Sequence, residues 1–402
     1  MTDKMELKFN IFETMALVTV VYYLGKFLRT KIKFLSKYCI PAPVVGGLVF
    51  AIVMLILKLT NIATIMLDTT LQNLFMTAFF ASVGFTASFK VLKSGGIKVA
   101  MFLGLAILLV ISQDIVGASL AKLFDLNPLL GLCTGSISMI GGHGTAGSFG
   151  PLLEEMGVSG ATTVSFASAT FGLVMGSFIG GFVAKGLIDN YKLKTPKESH
   201  DKSIPLSDFH EDNQAVLCQK RLMKGSAFLF LSMGIGSVIS GFIQDTGLTF
   251  PSYIGAMIAA AVIRNFCDIR KIEIEEKEIE VIGNISLGYF LCIALMGLKL
   301  WELFDLALPL VVMLIAQSVL MAVFAYFITF KIMGRDYDAA VFASASCGFG
   351  MGATPNAVAN MDALSTKFGF APTPYFVVPI VGALFVDFVN SAVITLFVNI
   401  LS

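Results

Sequence analysis

Two glycine-rich stretches within otherwise apolar sequence are the parts of the chain best suited to hold a ligand. The first is Gly141-Gly142-His143-Gly144-Thr145, and the second is Gly348-Phe349-Gly350-Met351-Gly352. Glycine permits close backbone approach, and backbone that leaves a helix inside a bilayer persists only where protein, water or a ligand satisfies its polar groups. Its carbonyls can converge on a dehydrated cation and its N–H groups on a carboxylate. Tight helix packing is the alternative, but two clusters at matching places favour a ligand site.

The sequence after the second stretch predicts a helix that begins inside the membrane. Thr354 can cap a helix, and Pro355 suits its first position. A helix N-terminus carries about +0.5 charge together with free N–H groups. We therefore expect an anionic group to bind at this point.

A few polar side chains interrupt the predicted membrane helices. Asp387 is the most central charge, and Asn390 lies on the same helix face three residues later. The pair suits a sodium ion or a substrate amine, or else a structural hydrogen bond. Gln113 and Gln317 suit helix–helix hydrogen bonds at least as well as a ligand. His143 suits proton transfer or ligand binding, and equally a neutral imidazole that fixes its own loop.

The composition is that of a membrane protein with many crossings. Of the 402 residues, 56% are apolar and 14% are charged, whereas soluble domains carry about 25% charged residues. The net charge of +1 creates no general field for nucleic acid, so we expect no such partner. The six cysteines contain no CxxC pair, which favours packing over a disulfide framework or a zinc site. No cleavage signature follows the first apolar run, so we expect the first helix to be retained.

Hydrophobic runs of about 20 residues predict ten membrane crossings in an all-α fold. They lie at 12–28, 42–57, 71–89, 99–121 and 162–188, and at 222–244, 249–265, 280–299, 304–330 and 374–400. The glycine stretches lie between the fourth and fifth crossing of each half, at 127–158 and 337–370. Their apolar runs would span only ~20 Å as helix, so we expect re-entrant hairpins. The polar segment 189–221 is the predicted linker between an N-terminal repeat (1–188) and a C-terminal repeat (222–402).

An odd number of crossings per half makes the second half enter from the opposite face, which predicts an inverted repeat. Weak self-similarity supports this, because Gly46 recurs as Gly255 and Gln113 as Gln317, at offsets of 209 and 204 residues. With both termini outside and the linker in the cytoplasm, all but five of the 28 Lys and Arg residues face the inside. This distribution follows the positive-inside rule.

Longer motifs extend from these residues over nearly the whole chain. The two loops contain Ser138-Met-Ile-Gly-Gly-His-Gly-Thr-Ala146 and Cys347-Gly-Phe-Gly-Met-Gly-Ala-Thr-Pro-Asn356, and further motifs are Ile40-Pro-Ala-Pro-Val-Val-Gly-Gly47, Ala294-Leu-Met-Gly-Leu-Lys-Leu-Trp-Glu302, Gly334-Arg-Asp-Tyr-Asp-Ala-Ala-Val341 and Val378-Pro-Ile-Val-Gly-Ala-Leu-Phe-Val-Asp387. They resemble the bacterial sodium/glutamate symporter family. The resemblance implies sodium-driven glutamate uptake, inverted five-helix halves with re-entrant loops, a homodimer in the bacterial inner membrane, an elevator-like movement and no enzymatic activity.

With this resemblance the candidate residues divide into two sets. We predict that glutamate binds through half-helix N-termini and loop amides, and that sodium, the co-transported ion, binds backbone carbonyls and hydroxyls without any organic cofactor. The substrate set is Gly142, His143, Gly144, Thr145, Gly350, Gly352, Thr354, Asn356 and Asp387. The sodium set is Ser138, Gly141, Gly348 and Asn390.

Three other functions share part of this pattern. A sodium-coupled citrate or dicarboxylate carrier would use the same anion-binding logic. An ion channel needs a continuous pore, whereas this chain offers two opposed broken segments. An intramembrane aspartyl protease built on Asp114 and Asp387 lacks a recognisable catalytic motif.

Three further charged residues receive no ligand role from the sequence. Asp114 lies about 100° around the helix from Gln113, and the sequence identifies no partner for it. Arg264 and Lys299 lie at crossing ends, where we expect their side chains to extend to the membrane interface.

Overall fold

The computed structural model describes residues 5–94, 96–196, 219–245, 251, 253–303 and 306–402, most of which are helical. The N-terminal half contains α1 (Ile11–Lys31), α2 (Lys33–Lys37), α3 (Ala42–Leu59), α4 (Thr70–Thr86), α5 (Phe89–Ser94), α6 (Gly96–Leu123), α7 (Pro128–Thr134), α8 (Ser136–Met139), α9 (Gly142–Glu155) and α10 (Ala161–Tyr191). The C-terminal half contains α11 (Gln219–Gln244), α12 (Tyr253–Arg270), α13 (Glu276–Met296), α14 (Ala307–Val323), α15 (Phe330–Met333), α16 (Tyr337–Gly350), α17 (Thr354–Phe368), α18 (Pro372–Leu384) and α19 (Val386–Leu401). Most of the predicted linker, residues 197–218 with Cys218, lies outside the described residues.

Eight helices of the described chain are long and apolar enough to cross a membrane. They are α1, α3, the segment Thr70–Val91, α6, α10, α11, α13 and the continuous helix Ala307–Met333, in which the π-helical segment Phe324–Thr329 joins α14 to α15. α18 and α19 form a further pair, bent by 46°. α12 corresponds to the crossing predicted over 249–265, but Arg264, Asp268 and Arg270 make its sequence less apolar. The chain is therefore a polytopic helical membrane protein, as the composition predicted.

A pair of short parallel strands departs from the all-helical prediction. β1 (Met5–Lys8) pairs with β2 (Ala63–Met66), with Glu6 opposite Thr64. The two strands join the N-terminal segment to the connection between α3 and α4. Strands of four residues carry too little alternation to be recognised from sequence.

The long helices form two groups that draw equally on both halves. The first helix group consists of α1, α3, α4, α11, α12 and α13, which pack mainly on one another. The second helix group consists of α6 to α10 and α14 to α19. The first group thus takes the first three predicted crossings of each half, and the second takes the last two crossings with the glycine-rich segments.

Equivalent glycine contacts hold the first helix group together. Gly25 and Gly46 bring α1 against α3, and Gly236 and Gly255 bring α11 against α12. A Cβ atom on any of these four residues would overlap the backbone of the facing helix. Each half therefore uses a glycine pair to close its first two helices, as small residues commonly do in membranes.

Tyr253, at the start of α12, connects the two helix groups. Its buried ring stacks on Phe80 of α4, with ring centres 3.7 Å apart. Its hydroxyl lies 3.5 Å from Ser148 Oγ on α9 and 3.4 Å from Ser391 Oγ on α19. A second contact joins Gly144 of α9 to Phe79 of α4.

The connector between α13 and α14 includes the 3-10 turn Leu300–Leu303, which contacts α3 and α10. It carries Trp301, the single tryptophan of the sequence. The ammonium of Lys58, at the end of α3, lies 3.3 Å from the centre of the Trp301 ring, the geometry of a cation–π contact. Because α3 and α10 belong to different groups, this connector lies where the two groups meet.

Candidate functional site

The first glycine-rich segment folds as short helices separated by breaks. α7 ends at Thr134, Gly135 separates it from α8, which ends at Met139, and α9 begins at Gly142, which has a φ of +57°. The side chain of Asn127 accepts a hydrogen bond from Leu129 N–H at the start of α7. The apolar helical stretch Pro128–Met139 is 12 residues long, or about 18 Å at 1.5 Å per residue, well short of a ~30 Å hydrocarbon core.

Asp114 holds α8 in place from the neighbouring helix α6. Its carboxylate accepts hydrogen bonds from Ser136 N–H at 2.8 Å and from Ser136 Oγ–H at 3.0 Å. All of these atoms belong to fully buried residues. The partner that the sequence did not identify is thus the first residue of α8, and Asp114 acts as an acceptor that caps this short helix.

The second glycine-rich segment reverses direction between α16 and α17. α16 ends at Gly350 and α17 begins at Thr354, with Pro355 in its first turn. The predicted helix start is correct to within one residue, but Ala353 is the capping residue and no side chain caps the helix. Thr354 is therefore not the cap that the sequence predicted, because it is already the first helical residue.

The two glycine-rich segments meet at their tips. A Cβ atom on Gly142 would lie only 3.2 Å from the carbonyl oxygen of Gly352. Any side chain at position 142 would also have to adopt positive φ, which non-glycine residues rarely do. Glycine at this position thus allows the two backbones to come together.

A cavity of about 560 Å³ lies beside this contact. Eight of the thirteen predicted site residues line it: Gly141, Gly142, His143, Gly144, Thr145, Gly352, Thr354 and Asp387. They come from α9, α17, α19 and the adjoining breaks. The structure therefore brings both predicted loops and the central carboxyl group to one place.

The other five predicted residues pack beside the cavity instead of lining it. Gly350 accepts a hydrogen bond at its carbonyl from Gln113 Nε2 at 2.7 Å, and Gly348 packs directly against α17. The hydroxyl of Ser138 donates to the carbonyl of Cys133 or Ser165, at 2.5 and 2.8 Å.

Asn356 and Asn390 use their side-chain amides in the same way. Both are fully buried, and each donates its amide Nδ2 to a backbone carbonyl, of Leu173 at 2.8 Å and of Ser136 at 3.2 Å. Both Oδ1 atoms lack a hydrogen-bond partner among the described residues. A buried acceptor without a partner costs about 1–3 kcal/mol, so these oxygens are available to a cation.

Helix–helix hydrogen bonds account for the paired glutamines. Gln113 Nε2 binds the Gly350 carbonyl, as above, and Gln317 Nε2 donates to the Gln113 carbonyl at 2.8 Å. These bonds agree with the packing interpretation of Gln113 and Gln317, which link α6 to α14 and α16, and each Oε1 atom has no hydrogen-bond partner among the described residues.

His143 and Asp387 present different chemistry to the cavity. His143 Nε2 lies 3.0 Å from Thr170 Oγ1, and the Thr170 hydroxyl itself donates to the Phe166 carbonyl at 2.9 Å. The hydrogen bond between His143 Nε2 and Thr170 Oγ1 ties α9 to α10 and agrees with a histidine that fixes its own loop. Asp387 is half-buried and makes no hydrogen bond or ion pair with any described residue.

The opposite wall of the cavity belongs to the first helix group, and sequence reasoning missed it. Arg264, Glu276, Glu280 and Asn284 line this side. Arg264 does not extend to the membrane interface as predicted, because it is only 7% exposed and pairs with Asp268 at 3.1 Å and Glu276 at 2.6 Å. An arginine within an apolar helix, followed closely by an acidic segment, was the available signal.

The charges that line the cavity are unbalanced. Three carboxyl groups, those of Glu276, Glu280 and Asp387, face a single guanidinium, that of Arg264, among the described lining residues. In a partly desolvated cavity such charges interact more strongly than in water. The charge of the lining therefore favours cations and disfavours an anion that arrives alone.

Crossing helices, broken glycine-rich segments and an internal cavity define a polytopic membrane protein with a ligand-sized site. The family model "Sodium/glutamate symporter" matches residues 7–370. The chain is 39% identical over 387 residues to the sodium/glutamate symporter of Escherichia coli (strain K12), covering 96% of each chain. It is 36% identical over 393 residues to that of Haemophilus influenzae, covering 97% of each. The chain belongs to the sodium/glutamate symporter family.

Proposed function

We propose that this protein carries glutamate into the cell together with sodium and binds both ligands where the two glycine-rich tips meet. Membership of the family supports glutamate and sodium as the transported species. The proposed location of the site rests on the close approach of Gly142 to Gly352 beside the cavity. Both tips offer the free backbone groups that such ligands need.

The proposed substrate contacts use the residues that line the cavity. A carboxylate of glutamate would lie at the N-terminus of α17, near Thr354, and at the break before α9, near Gly142. The amine would face Asp387, which has no partner among the described residues. Sodium would take the unpaired Oδ1 atoms of Asn356 and Asn390, with backbone carbonyls of the segments that contain Gly348 and Ser138.

Coupling would follow from the charge of the cavity. Its excess of carboxyl groups repels an anionic substrate, and a bound sodium ion offsets that repulsion. By linkage, each ligand then raises the affinity of the other by the same factor, typically 5- to 150-fold. Sodium would therefore be required for tight glutamate binding.

The two helix groups supply a framework for alternating access. We infer that the two halves of the chain (1–188 and 222–402) form inverted repeats with re-entrant hairpins at 127–158 and 337–370, because each helix group takes equivalent helices from both halves. The second helix group would move against the first in an elevator-like manner and open the cavity to either side in turn. The proposed setting is the bacterial inner membrane, with both termini outside, the linker inside, and a homodimer.

Uptake into vesicles that contain only this protein tests the proposal. We expect labelled glutamate to accumulate under an inward sodium gradient and not under a potassium or proton gradient. Excess unlabelled glutamate should abolish uptake, and excess citrate should not. Equal uptake under all three gradients would contradict sodium coupling, and inhibition by citrate as strong as that by glutamate would favour a dicarboxylate carrier.

A further inference from the structure

Arg264 lies on the cavity wall with part of its hydrogen-bonding capacity unused. A guanidinium has five N–H donors in a fork that matches a carboxylate. Nε pairs with Asp268 Oδ2 at 3.1 Å, whereas Nη1 reaches Glu276 Oε1 at 2.6 Å and the Phe85 carbonyl at 3.4 Å. Nη2 makes no hydrogen bond with any described residue. Further donors are therefore available to a ligand in the cavity.

The partners of Arg264 differ in how readily they can leave. The Arg264 side chain is 9% exposed and that of Asp268 is 19% exposed, but that of Glu276 is 63% exposed. A buried guanidinium needs an anionic partner, whereas an exposed carboxylate loses little when it returns to water. A ligand carboxylate can thus replace Glu276 on Arg264 while Asp268 stays in place.

We propose that Arg264 is a carboxylate docking point on the wall formed by the first helix group, where it binds a carboxylate of the substrate in exchange for Glu276. This inference rests on the proposed function. The helix start at Thr354, on the wall formed by the second helix group, offers the other place for a carboxylate. A substrate with two carboxylates can engage both walls, whereas glutamine cannot, so Arg264 selects dicarboxylic amino acids.

Two substitutions at the pair should change the KM for glutamate in opposite directions. Arg264→Gln removes the docking cation and should raise KM about tenfold or more, since hydrogen bonds to charged groups are among the stronger ones. Glu276→Gln removes the competing carboxylate and should lower KM. The adjacent ion pair between Lys224 and Glu275, at 2.7 Å, does not line the cavity and provides matched controls. Lys224→Gln and Glu275→Gln should leave KM near the wild-type value.

The direction of these shifts distinguishes docking from a structural role. A purely structural ion pair is broken equally by either substitution, so shifts in the same direction, or an unchanged KM for Glu276→Gln, would overturn the proposal. Arg264→Gln should also reduce the preference for glutamate over glutamine as a competitor, and an unchanged preference would count against docking. If the Arg264→Gln variant does not fold, the Glu276→Gln variant tests the proposal by itself, because the proposal requires its KM for glutamate to be lower than that of the wild type. Failure of sodium-driven uptake by the wild-type protein would instead overturn the proposed function.

Discussion

Asp387 and Asn390 lie one turn apart on α19 but meet different surroundings. Asp387 faces the cavity without a hydrogen bond to any described residue, whereas Asn390 is buried and uses only its amide nitrogen. A structural side chain in a membrane helix normally finds partners for its polar atoms. Asp387 also lines the cavity, and this position favours ligand contact over helix packing for its carboxyl group.

Replacing Asp387 by Asn tests the role of this carboxyl group. Asp387→Asn keeps the shape of the side chain but removes the charge that would face the substrate amine, so we expect glutamate uptake to fall at least tenfold while the protein is still inserted. Asp125→Asn, at an exposed position between α6 and α7, is the matched control and should keep wild-type uptake. Normal transport by Asp387→Asn would remove this residue from the site.

At the scale of secondary-structure elements, the short helix α8 depends on a residue from another helix. Its four residues cannot form a stable helix alone, and its first N–H and hydroxyl groups bind the Asp114 carboxylate. Among the residues that the structure describes, the equivalent residue of the second half, Ser318, has its hydroxyl bonded only within its own helix, to the Leu314 carbonyl. The two halves thus stabilise their glycine-rich segments differently.

Removal of this acceptor should destabilise the first segment. Asp114→Ala leaves the buried Ser136 N–H without a partner, which costs about 1–3 kcal/mol, so we expect a clearly lower unfolding temperature of the purified protein in detergent. Ser318→Ala is the control, and its unfolding temperature should stay close to that of the wild type. A wild-type unfolding temperature for Asp114→Ala would show that the cap contributes nothing.

Sequence patterns located the two broken segments that meet beside the cavity but only part of the cavity lining. Glycine clusters inside apolar sequence identified both broken segments, and with them residues such as Gly142 and Thr354. Gly348 and Gly350 were predicted to belong to the same site, but they pack beside the cavity. A run of glycines does not show which of its residues faces a cavity and which faces a neighbouring helix. Arg264 and Glu276 were missed because they belong to another part of the chain and resemble the charged ends of ordinary helices. Only tertiary packing brings them to the opposite wall.

At the scale of the whole molecule, the equal contribution of both halves to each helix group is the main support for an inverted arrangement. The glycine pair that packs α1 against α3 in the first half corresponds to the pair that packs α11 against α12 in the second half. Hydropathy predicted the number and order of most helices, but it carries no information about which of them pack together. The division into two groups therefore had to come from the structure.

The orientation of the chain can be tested by labelling single cysteines from either side. Thr60 follows α3 and Lys194 follows α10, and both are exposed. In a background without native cysteines, Thr60→Cys should react with a membrane-impermeant maleimide in intact cells. Lys194→Cys should react only after the membrane is opened. Labelling of both positions in intact cells would contradict the proposed topology.

The contact between Lys58 and Trp301 has a practical consequence. Because the chain has one tryptophan, its tryptophan fluorescence originates entirely from the turn that connects the two helix groups. Indole emission responds to nearby charge and hydration, and here an ammonium lies directly over the ring. A spectral change on adding ligands would therefore report rearrangement at this junction, in unlabelled protein and in real time.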